Sequence, residues 1–398
     1  MGGGDLSKSS KRREWRMQKL SREPTYKRFV TGQIQRFNER NTAYSRADRG
    51  EIRSLKEALA RGLETKAMKD LPGFTREDFA LNLAGRAIDT LVRKTAYSRD
   101  RLPRRWSIPW DKTVVADRTK MSNKVKRVAR WFGADLVGIC ELNPLWVYSH
   151  WGDHNAKLSE MANPGDPIEI PEEYRYAIVM GIGMDYEDIQ RSPAVIPSTD
   201  LGYSQMAFVA TSLAEFIRLL GHDAIPAGND MALSIPLAVD AGLGELGRNG
   251  LLITRDYGPR LRLCKVFTTL PLEPDEPANI RVQDYCEKCN KCAVHCPGQA
   301  ILKEERTDQP RSICNNSGVL KWPIDAEKCL DWWYRNGSTG CANCIRVCPW
   351  NKPQGLMHAF VRTAVTRVPF FDSLFIKADD LMGYGKQVLR DTPSRKWG

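Results

Sequence analysis

The 398-residue sequence contains no long apolar run. No window approaches 18 consecutive apolar residues, so we expect no segment to span a bilayer. Arg12 and Arg13 form a twin arginine, but charged and polar residues follow, without the apolar stretch or the small-residue cleavage site of a signal peptide. We therefore expect a cytoplasmic protein, unless its true leader is missing from the sequence.

Net charge is nearly absent from most of the chain. Residues 1–110 contain 26 Lys and Arg against 13 Asp and Glu, whereas the remaining residues contain 34 against 35. The formal charge of +12 is therefore an N-terminal property, which would suit an acidic protein partner, an anionic membrane face or RNA. A solvated helical surface explains it equally well, because the basic residues are interleaved with acidic ones.

Cysteine, by contrast, is abundant and unevenly placed. Eight of the eleven cysteines form two related groups within residues 286–349: Cys286, Cys289, Cys292 and Cys296 before Pro297, and Cys341, Cys344 and Cys348 before Pro349, with Cys329 upstream of the second group. In a C-x2-C-x2-C-x3-C-P run, three cysteines bind one iron-sulfur cube and the fourth binds the other cube. The spacing predicts two [4Fe-4S] clusters, one held by Cys286, Cys289, Cys292 and Cys348, and the other by Cys329, Cys341, Cys344 and Cys296.

Zinc and disulfides are the alternative explanations of these cysteines. A structural zinc site uses two separated ligand pairs and does not need a displaced fourth cysteine. Disulfide frameworks are typical of short secreted chains, and this chain is long and lacks a secretory signal. Cys140, Cys264 and Cys314 stand alone, and the apolar runs around the first two predict buried, inert thiols.

The apolar patterns predict alternating helices and strands, and hence an α/β fold. We predict strands over residues 135–140 and 176–184, and a long helix over residues 199–220 that ends at Gly221. Residues 251–254 and 261–269 are predicted to pair as a hairpin around the turn 257–260. The acidic, proline-rich residues 271–277 are expected to form a linker.

The segments around the cysteines carry a resemblance to a known family. GYSQM, IPAGND, AGLGELGRNG and YGPRLRLCKVFT precede the two groups, and LMGYGK follows them. This succession, over residues 120–385, resembles the corrinoid-dependent reductive dehalogenases. The resemblance implies a corrinoid, cobalamin-type, bound in a nitroreductase-like α/β domain and followed by a ferredoxin-like module with the two clusters.

The resemblance also implies roles for individual residues. Tyr203 of GYSQM matches the proton donor of the family, and Arg262 of PRLRL matches the arginine beside it. Asn229 of GND stands where respiratory, tetrachloroethene-type members have asparagine. Pocket-lining roles fall to Thr199, Trp332 and Trp333.

The chemistry of these residue types is consistent with such roles. A guanidinium favours the phenolate form of a neighbouring tyrosine, so Arg262 would make Tyr203 a better acid. No D-x-H-x-x-G motif is present, so the implied corrinoid is base-off, with no histidine of the chain on cobalt. Without the resemblance, a structural tyrosine and an arginine paired with a carboxylate would be the simpler interpretation of Tyr203 and Arg262.

We predict four segments: a basic helical region over residues 1–118, the corrinoid-binding domain over 119–275, the double-cluster module over 276–355, and a C-terminal segment over 356–398 that packs on the corrinoid domain. The expected partners are a small organohalide and a low-potential electron donor, which could be a ferredoxin, a flavodoxin or a membrane redox protein. Nucleic acid is not an expected partner, while peripheral membrane association and a homodimer stay open. If a leader is missing, the protein would instead be exported to the outer face of the cytoplasmic membrane, as respiratory members are.

Two other functions stay open. Epoxyqueuosine reductase is also a corrinoid, two-cluster enzyme, and its tRNA substrate would suit the basic N-terminal region. It differs in using a carboxylate as the acid and in having a C-terminal helical-repeat extension. A non-catalytic iron-sulfur electron carrier would have the clusters without a closed substrate pocket.

Overall fold

The N-terminal part of the chain is helical in the computed structural model, which describes residues 23–95, 111–159, 162–338, 340–367 and 369–389. The α-helices before residue 96 are Ala43–Asp48, Leu55–Thr65, Arg76–Gly85 and Ala87–Thr95, with short 3-10 helices at Thr25–Phe29, Glu39–Asn41 and Ala67–Lys69. Side chains of Thr42, Ser54 and Thr75 cap the first three helices. The twin arginine at positions 12 and 13 lies outside the described residues.

A four-stranded sheet forms the centre of the fold. Its strands are β1 (Leu136–Glu141), β2 (Tyr176–Gly183), β3 (Ala224–Ala227) and β6 (Leu261–Thr268), in the order β1-β2-β6-β3. Every neighbouring pair is antiparallel. Strand β6 pairs along its whole length with β2 and over four residues with β3, so it lies inside the sheet.

Both faces of this sheet are buried, which explains the nearly continuous apolar sequence of β2. Because side chains alternate along a strand, Ile178 and Met180 point into one core and Ala177 and Val179 into another. The first core is covered by helix Arg118–Trp131 and by the helix Pro197–Leu219, called the long helix below. Helix Ser234–Asp240 covers the second. Helices on both faces of a sheet confirm the predicted α/β layers.

The long helix and the two predicted strands are confirmed to within about two residues at each end. Gly221 follows the long helix with φ +85°, a backbone conformation that glycine adopts without strain. Cys140 in β1 and Cys264 in β6 are buried, as predicted, and burial raises the pKa of the Cys264 thiol to about 12.

The predicted hairpin is wrong. Leu252–Ile253 forms the short strand β5, which pairs with β4 (Glu245–Leu246) in a separate two-stranded sheet. After β5 the chain closes a tight turn between Thr254 and Gly258. The following strand, β6, then pairs at eight positions with β2, a much longer partner than the two residues of β5 could provide.

The cysteine segment and the C-terminal residues contain short helices. These are Val282–Lys288, Lys291–Val294, Ala326–Asn336, Asn343–Arg346, Leu356–Arg367 and Asp372–Leu381. The described residues also form helices at Asp153–Ser159 and Tyr186–Gln190, and 3-10 helices at Pro144–Trp146 and Pro369–Phe371. Residues 271–277 form no helix or strand, consistent with a linker. The domain boundaries at 118, 275 and 355 stay predictions. Among the helices in the described ranges, none has the length and apolar character needed to cross a membrane.

A fully buried lysine, Lys265 of β6, fastens the turn that follows β3. Its ammonium donates to the carbonyl of Gly228 at 2.6 Å, to the carbonyl of Ala232 at 2.9 Å and to the hydroxyl of Ser234 at 3.1 Å. An ammonium has three N–H donors, so these acceptors engage all of them. Because Asn229 lies inside this turn, Lys265 determines where the Asn229 side chain is presented.

Replacing Lys265 with methionine should loosen this turn. Met preserves most of the volume but leaves two buried carbonyls without donors, each costing about 1 to 3 kcal/mol. We expect a loss of at least about 2 kcal/mol in the free energy of unfolding, measured by denaturant titration, and faster amide exchange over residues 228–232. Ser234→Ala, which removes only one acceptor, should cost clearly less. Unchanged exchange in the Lys265→Met protein would contradict this role.

Candidate active site

Three polar side chains from separate elements meet at the phenol oxygen of Tyr203. Tyr203 lies in the second turn of the long helix, Arg262 in β6, and Asn229 in the turn after β3. The side-chain amide of Asn229 donates to the phenol oxygen at 3.0 Å, and Nη1 of Arg262 donates to it at 3.4 Å. The phenol oxygen of Tyr203 thus accepts from two nitrogen donors, and hydrogen bonds of this kind favour the anionic form of a phenol.

A second arginine, Arg86, faces the ring of the same tyrosine. Its guanidinium carbon lies 4.0 Å from the centroid of the Tyr203 ring, and that of Arg262 lies 4.7 Å away. Arg86 is held by the carboxylates of Asp200 at 3.1 Å and Asp89 at 3.3 Å. Burial raises the pKa of Asp200, and the positive charges of Arg86 and Arg262 oppose that rise. The ring of Tyr203 is thus in contact with two cations.

Tyr44 links this group to the cysteine segment. Burial raises the pKa of its phenol well above the usual value, and the phenol interacts electrostatically with Tyr203, Arg262 and Cys329. The ring of Trp333 lies edge-on to Tyr44, with 6.1 Å between ring centroids. Trp333 is therefore connected to Tyr203 indirectly, through its ring contact with Tyr44.

Thr199 and Trp332, the other two predicted pocket residues, differ in their placement. Thr199 lies four residues before Tyr203 in the long helix, so the two side chains share a face. Its hydroxyl lies 3.8 Å from the sulfur of Met184. Trp332 packs instead against Gly298, in the turn after Cys296. Pocket-lining roles for Thr199, Trp332 and Trp333 stay predictions.

The structure brings the first predicted set of cysteines together. Cys286, Cys289, Cys292 and Cys348 are buried and interact electrostatically with one another. All four cysteines line one cavity, together with Arg248, Trp350 and other residues. The four thiols therefore surround a common space.

The second predicted set also forms a group. The thiols of Cys329 and Cys344 each interact with those of Cys341 and Cys296. Cys344 also interacts with Cys292 of the first set, so the two groups adjoin. The backbone N–H of Ala300 donates to the sulfur of Cys296 at 3.3 Å.

The thiol chemistry fits iron-sulfur ligation. All eleven cysteines are free, with no disulfide. Burial raises the pKa of Cys286 and of Cys329 to about 12. Such thiols ionise readily only when a metal replaces the proton, as ligation requires.

Sequence reasoning did not identify Tyr44, Arg86 or Lys265 as parts of this site. Tyr44 and Arg86 lie in the N-terminal region, far along the chain from Tyr203. Lys265 follows Cys264 within the apolar run of β6. A lysine inside such a run is the one feature of the sequence that could have indicated a special role for it.

The chain is similar to known proteins in its cysteine segment and over a larger part of its length. Residues 285–351 match the family described as "4Fe-4S double cluster binding domain". Tetrachloroethene reductive dehalogenase of Dehalobacter restrictus is 41% identical over 304 residues, which cover 68% of this chain and 55% of that protein. Epoxyqueuosine reductase of Cyclobacterium marinum is more distant, at 28% identity over 255 residues, covering 58% of this chain and 80% of that protein.

A solved structure extends the similarity to the fold. The catabolic reductive dehalogenase NpRdhA, in complex with 3-bromo-4-hydroxybenzoic acid, superposes with a TM-score of 0.71 at 25% identity, over 92% of this chain and 49% of that one. The chain spans about half the length of these dehalogenases. The similarity in sequence, in the double-cluster segment and in fold leads to one conclusion: the chain is related to the reductive dehalogenases.

Proposed function

We propose that the protein removes halide from an organohalide by a two-electron, one-proton reduction at a corrinoid, with electrons delivered through two [4Fe-4S] clusters. The observation that carries the proposal is the Tyr203 phenol oxygen. It accepts hydrogen bonds from both Asn229 and Arg262, in a chain 41% identical to a tetrachloroethene reductive dehalogenase. An electron carrier would have no use for a proton donor prepared in this way.

The α/β layers over residues 119–275 would form the nitroreductase-like domain that holds the corrinoid, with Thr199, Trp332 and Trp333 beside it. When bound, the corrinoid supplies the cobalt chemistry that breaks a carbon–halogen bond. Because the sequence has no D-x-H-x-x-G motif, the chain would hold the corrinoid base-off without using a histidine to bind it.

The polar group formed by Tyr203, Asn229 and Arg262 fits a bound substrate and cofactor, because it can still donate further hydrogen bonds. Asn229 is exposed, and the buried Nε of Arg262 has no hydrogen-bond partner among the residues that the structure describes. A donor of this kind can bind a polar or anionic group that arrives with substrate or leaves as halide.

Tyr203 acts as the proton donor in this proposal. Its O–H bond breaks as the proton passes to the carbon that loses halide, and the negative charge stays on the phenol oxygen. Asn229 and Arg262 stabilise that oxygen through their N–H donors, and Arg86 adds a positive charge at the ring.

The placement of the two cysteine groups supports an order for electron transfer. The second group, with Cys329, interacts with Tyr44 and so lies on the side of Tyr203. The first group adjoins the second through Cys292 and Cys344. Electrons would therefore enter at the first cluster and leave from the second.

The substrate is proposed to be a small organohalide. The names of the relatives include tetrachloroethene and a brominated hydroxybenzoate, and Asn229 favours the tetrachloroethene-type branch. The electron donor would be a low-potential ferredoxin, flavodoxin or membrane redox protein. Epoxyqueuosine reduction is less favoured, because Tyr203 stands at the acid position and the similarity to those enzymes is weaker.

In the proposed ligand sets, each cysteine group supplies the fourth ligand of the other group's cluster. Cys296→Ala tests this arrangement. We expect this change to damage the cluster of Cys329, Cys341 and Cys344 and to leave the adjacent Cys286 cluster intact. Iron content and resolved EPR signals of the reduced protein measure both. Cys314→Ala, at a cysteine outside both sets, is the control and should keep full iron content. Loss of the Cys286 signal in Cys296→Ala would show that the ligand sets are assigned wrongly.

Tyr203→Phe tests the proton donor. The change preserves the ring and its packing but removes the transferable proton, so clusters and corrinoid should load normally. Halide release per bound corrinoid should fall by about 10²-fold or more, the usual worth of a positioned general acid. Arg262→Lys retains the charge but loses the planar fork, and its rate should lie between wild type and Tyr203→Phe.

Tyr257→Phe is a matched control, since its hydroxyl bonds to Asp135 at 2.9 Å and not to the Tyr203 group. It should retain the wild-type rate. A purely structural Tyr203 predicts poor cofactor loading with an unchanged rate per corrinoid, and that outcome would overturn the assignment.

A further inference from the structure

Arg248 makes an unusual set of contacts beside the first cysteine group. It is 4% exposed, and all three of its guanidinium nitrogens donate to backbone carbonyls. Nε donates to the carbonyls of Cys286 and Cys289, both at 3.1 Å, and Nη2 donates to that of Cys286 at 2.9 Å. Nη1 donates to three consecutive carbonyls at 2.9 to 3.2 Å, those of Leu302, Lys303 and Glu304.

These contacts leave the charge of Arg248 uncompensated. Within the described ranges of the chain, Arg248 forms no ion pair with any carboxylate. Its guanidinium carbon lies 4.4 Å from the ring centroid of Trp322, which adds an attraction but no countercharge. A buried charge without an opposite charge is costly, commonly by several kcal/mol.

The residues that could supply a countercharge line the same cavity as Arg248. Arg248 and the thiols of Cys286, Cys289, Cys292 and Cys348 all line it. Four thiolates around iron would carry net negative charge, at a position where the guanidinium already contacts the backbone of two of the four residues.

We propose that Arg248 is a positioning and charge-tuning residue of the first cluster. It holds helix Val282–Lys288 at the end that presents Cys286 and Cys289, and its positive charge raises the reduction potential of that cluster. The inference rests on the proposed function only in assuming that these four cysteines hold a [4Fe-4S] cluster. The sign follows from charge: reduction adds an electron, so a nearby cation stabilises the reduced form.

Arg306 provides a matched control. Its guanidinium carbon also lies 4.4 Å from the Trp322 ring centroid, and its Nη2 donates to the carbonyl of Gln283 at 3.1 Å. It pairs with the carboxylate of Glu287, so within the described residues its hydrogen bonds go to Gln283 and Glu287 and to no cysteine carbonyl. Arg306→Gln therefore removes a charge from the same aromatic ring and the same helix without breaking a hydrogen bond to a cysteine of the cluster.

The test is an EPR-monitored redox titration of anaerobically reconstituted full-length protein. In Arg248→Gln, the reduced-to-oxidised ratio of the first cluster at the wild-type midpoint should fall about tenfold, which is 59 mV for one electron. The second cluster, and both clusters of Arg306→Gln, should retain wild-type midpoints. An unchanged midpoint in loaded Arg248→Gln, or an equal fall in Arg306→Gln, would overturn the proposal.

Arg248→Lys keeps the test decisive if Arg248→Gln does not bind the cluster. Lysine retains the charge but cannot reach all five carbonyls, so amide exchange over residues 302–304 should accelerate. The reduced-to-oxidised ratio of the first cluster at the wild-type midpoint should change less than about threefold. A tenfold fall in this variant would show that charge is not the cause. A wild-type protein that holds no [4Fe-4S] cluster on these cysteines would instead refute the proposed function.

Discussion

The site depends on strand β6 being paired on both sides and buried on both faces. Two side chains three residues apart, Arg262 and Lys265, point to opposite faces of the sheet because of the pleat. Arg262 faces the long helix and reaches Tyr203, whereas Lys265 faces the turn that holds Asn229. A shift of β6 by one residue would exchange these faces and separate all three members of the polar group.

Positive charge placed in the interior is the second constraint on this chain. Lys265 and Arg248 are both almost fully buried, and each uses backbone carbonyls to replace water. Arg86 instead uses the carboxylates of Asp89 and Asp200. These cations stand beside the proposed proton donor, the Asn229 turn and the first cysteine group, which are the places where the proposed reaction would add electrons or develop negative charge.

Sequence alone was sufficient for features that depend on spacing or on apolar periodicity. The long helix, the strands β1 and β2 and the grouping of eight cysteines follow from such patterns. The meeting of Tyr203, Asn229 and Arg262 was foreseeable only through the family resemblance, since each residue taken alone has a structural explanation. The hairpin prediction failed because it relied on the local turn residues. In the structure β6 pairs instead with β2, a longer strand that is distant in sequence. Arg86, Arg248 and Tyr44 escaped notice because tertiary contacts give them their surroundings, and charged or phenolic side chains usually indicate surface.

The central claim is that one chain holds the clusters and a corrinoid and uses them to expel halide. The most direct measurement is anaerobic reconstitution with iron, sulfide and a corrinoid, followed by halide release from chloroethenes, bromophenols and chlorophenols with a small artificial electron donor. The account predicts two [4Fe-4S] clusters for each bound corrinoid, and halide release that depends on that corrinoid. Full cluster loading without corrinoid binding, and no halide from any of these substrates, would contradict it.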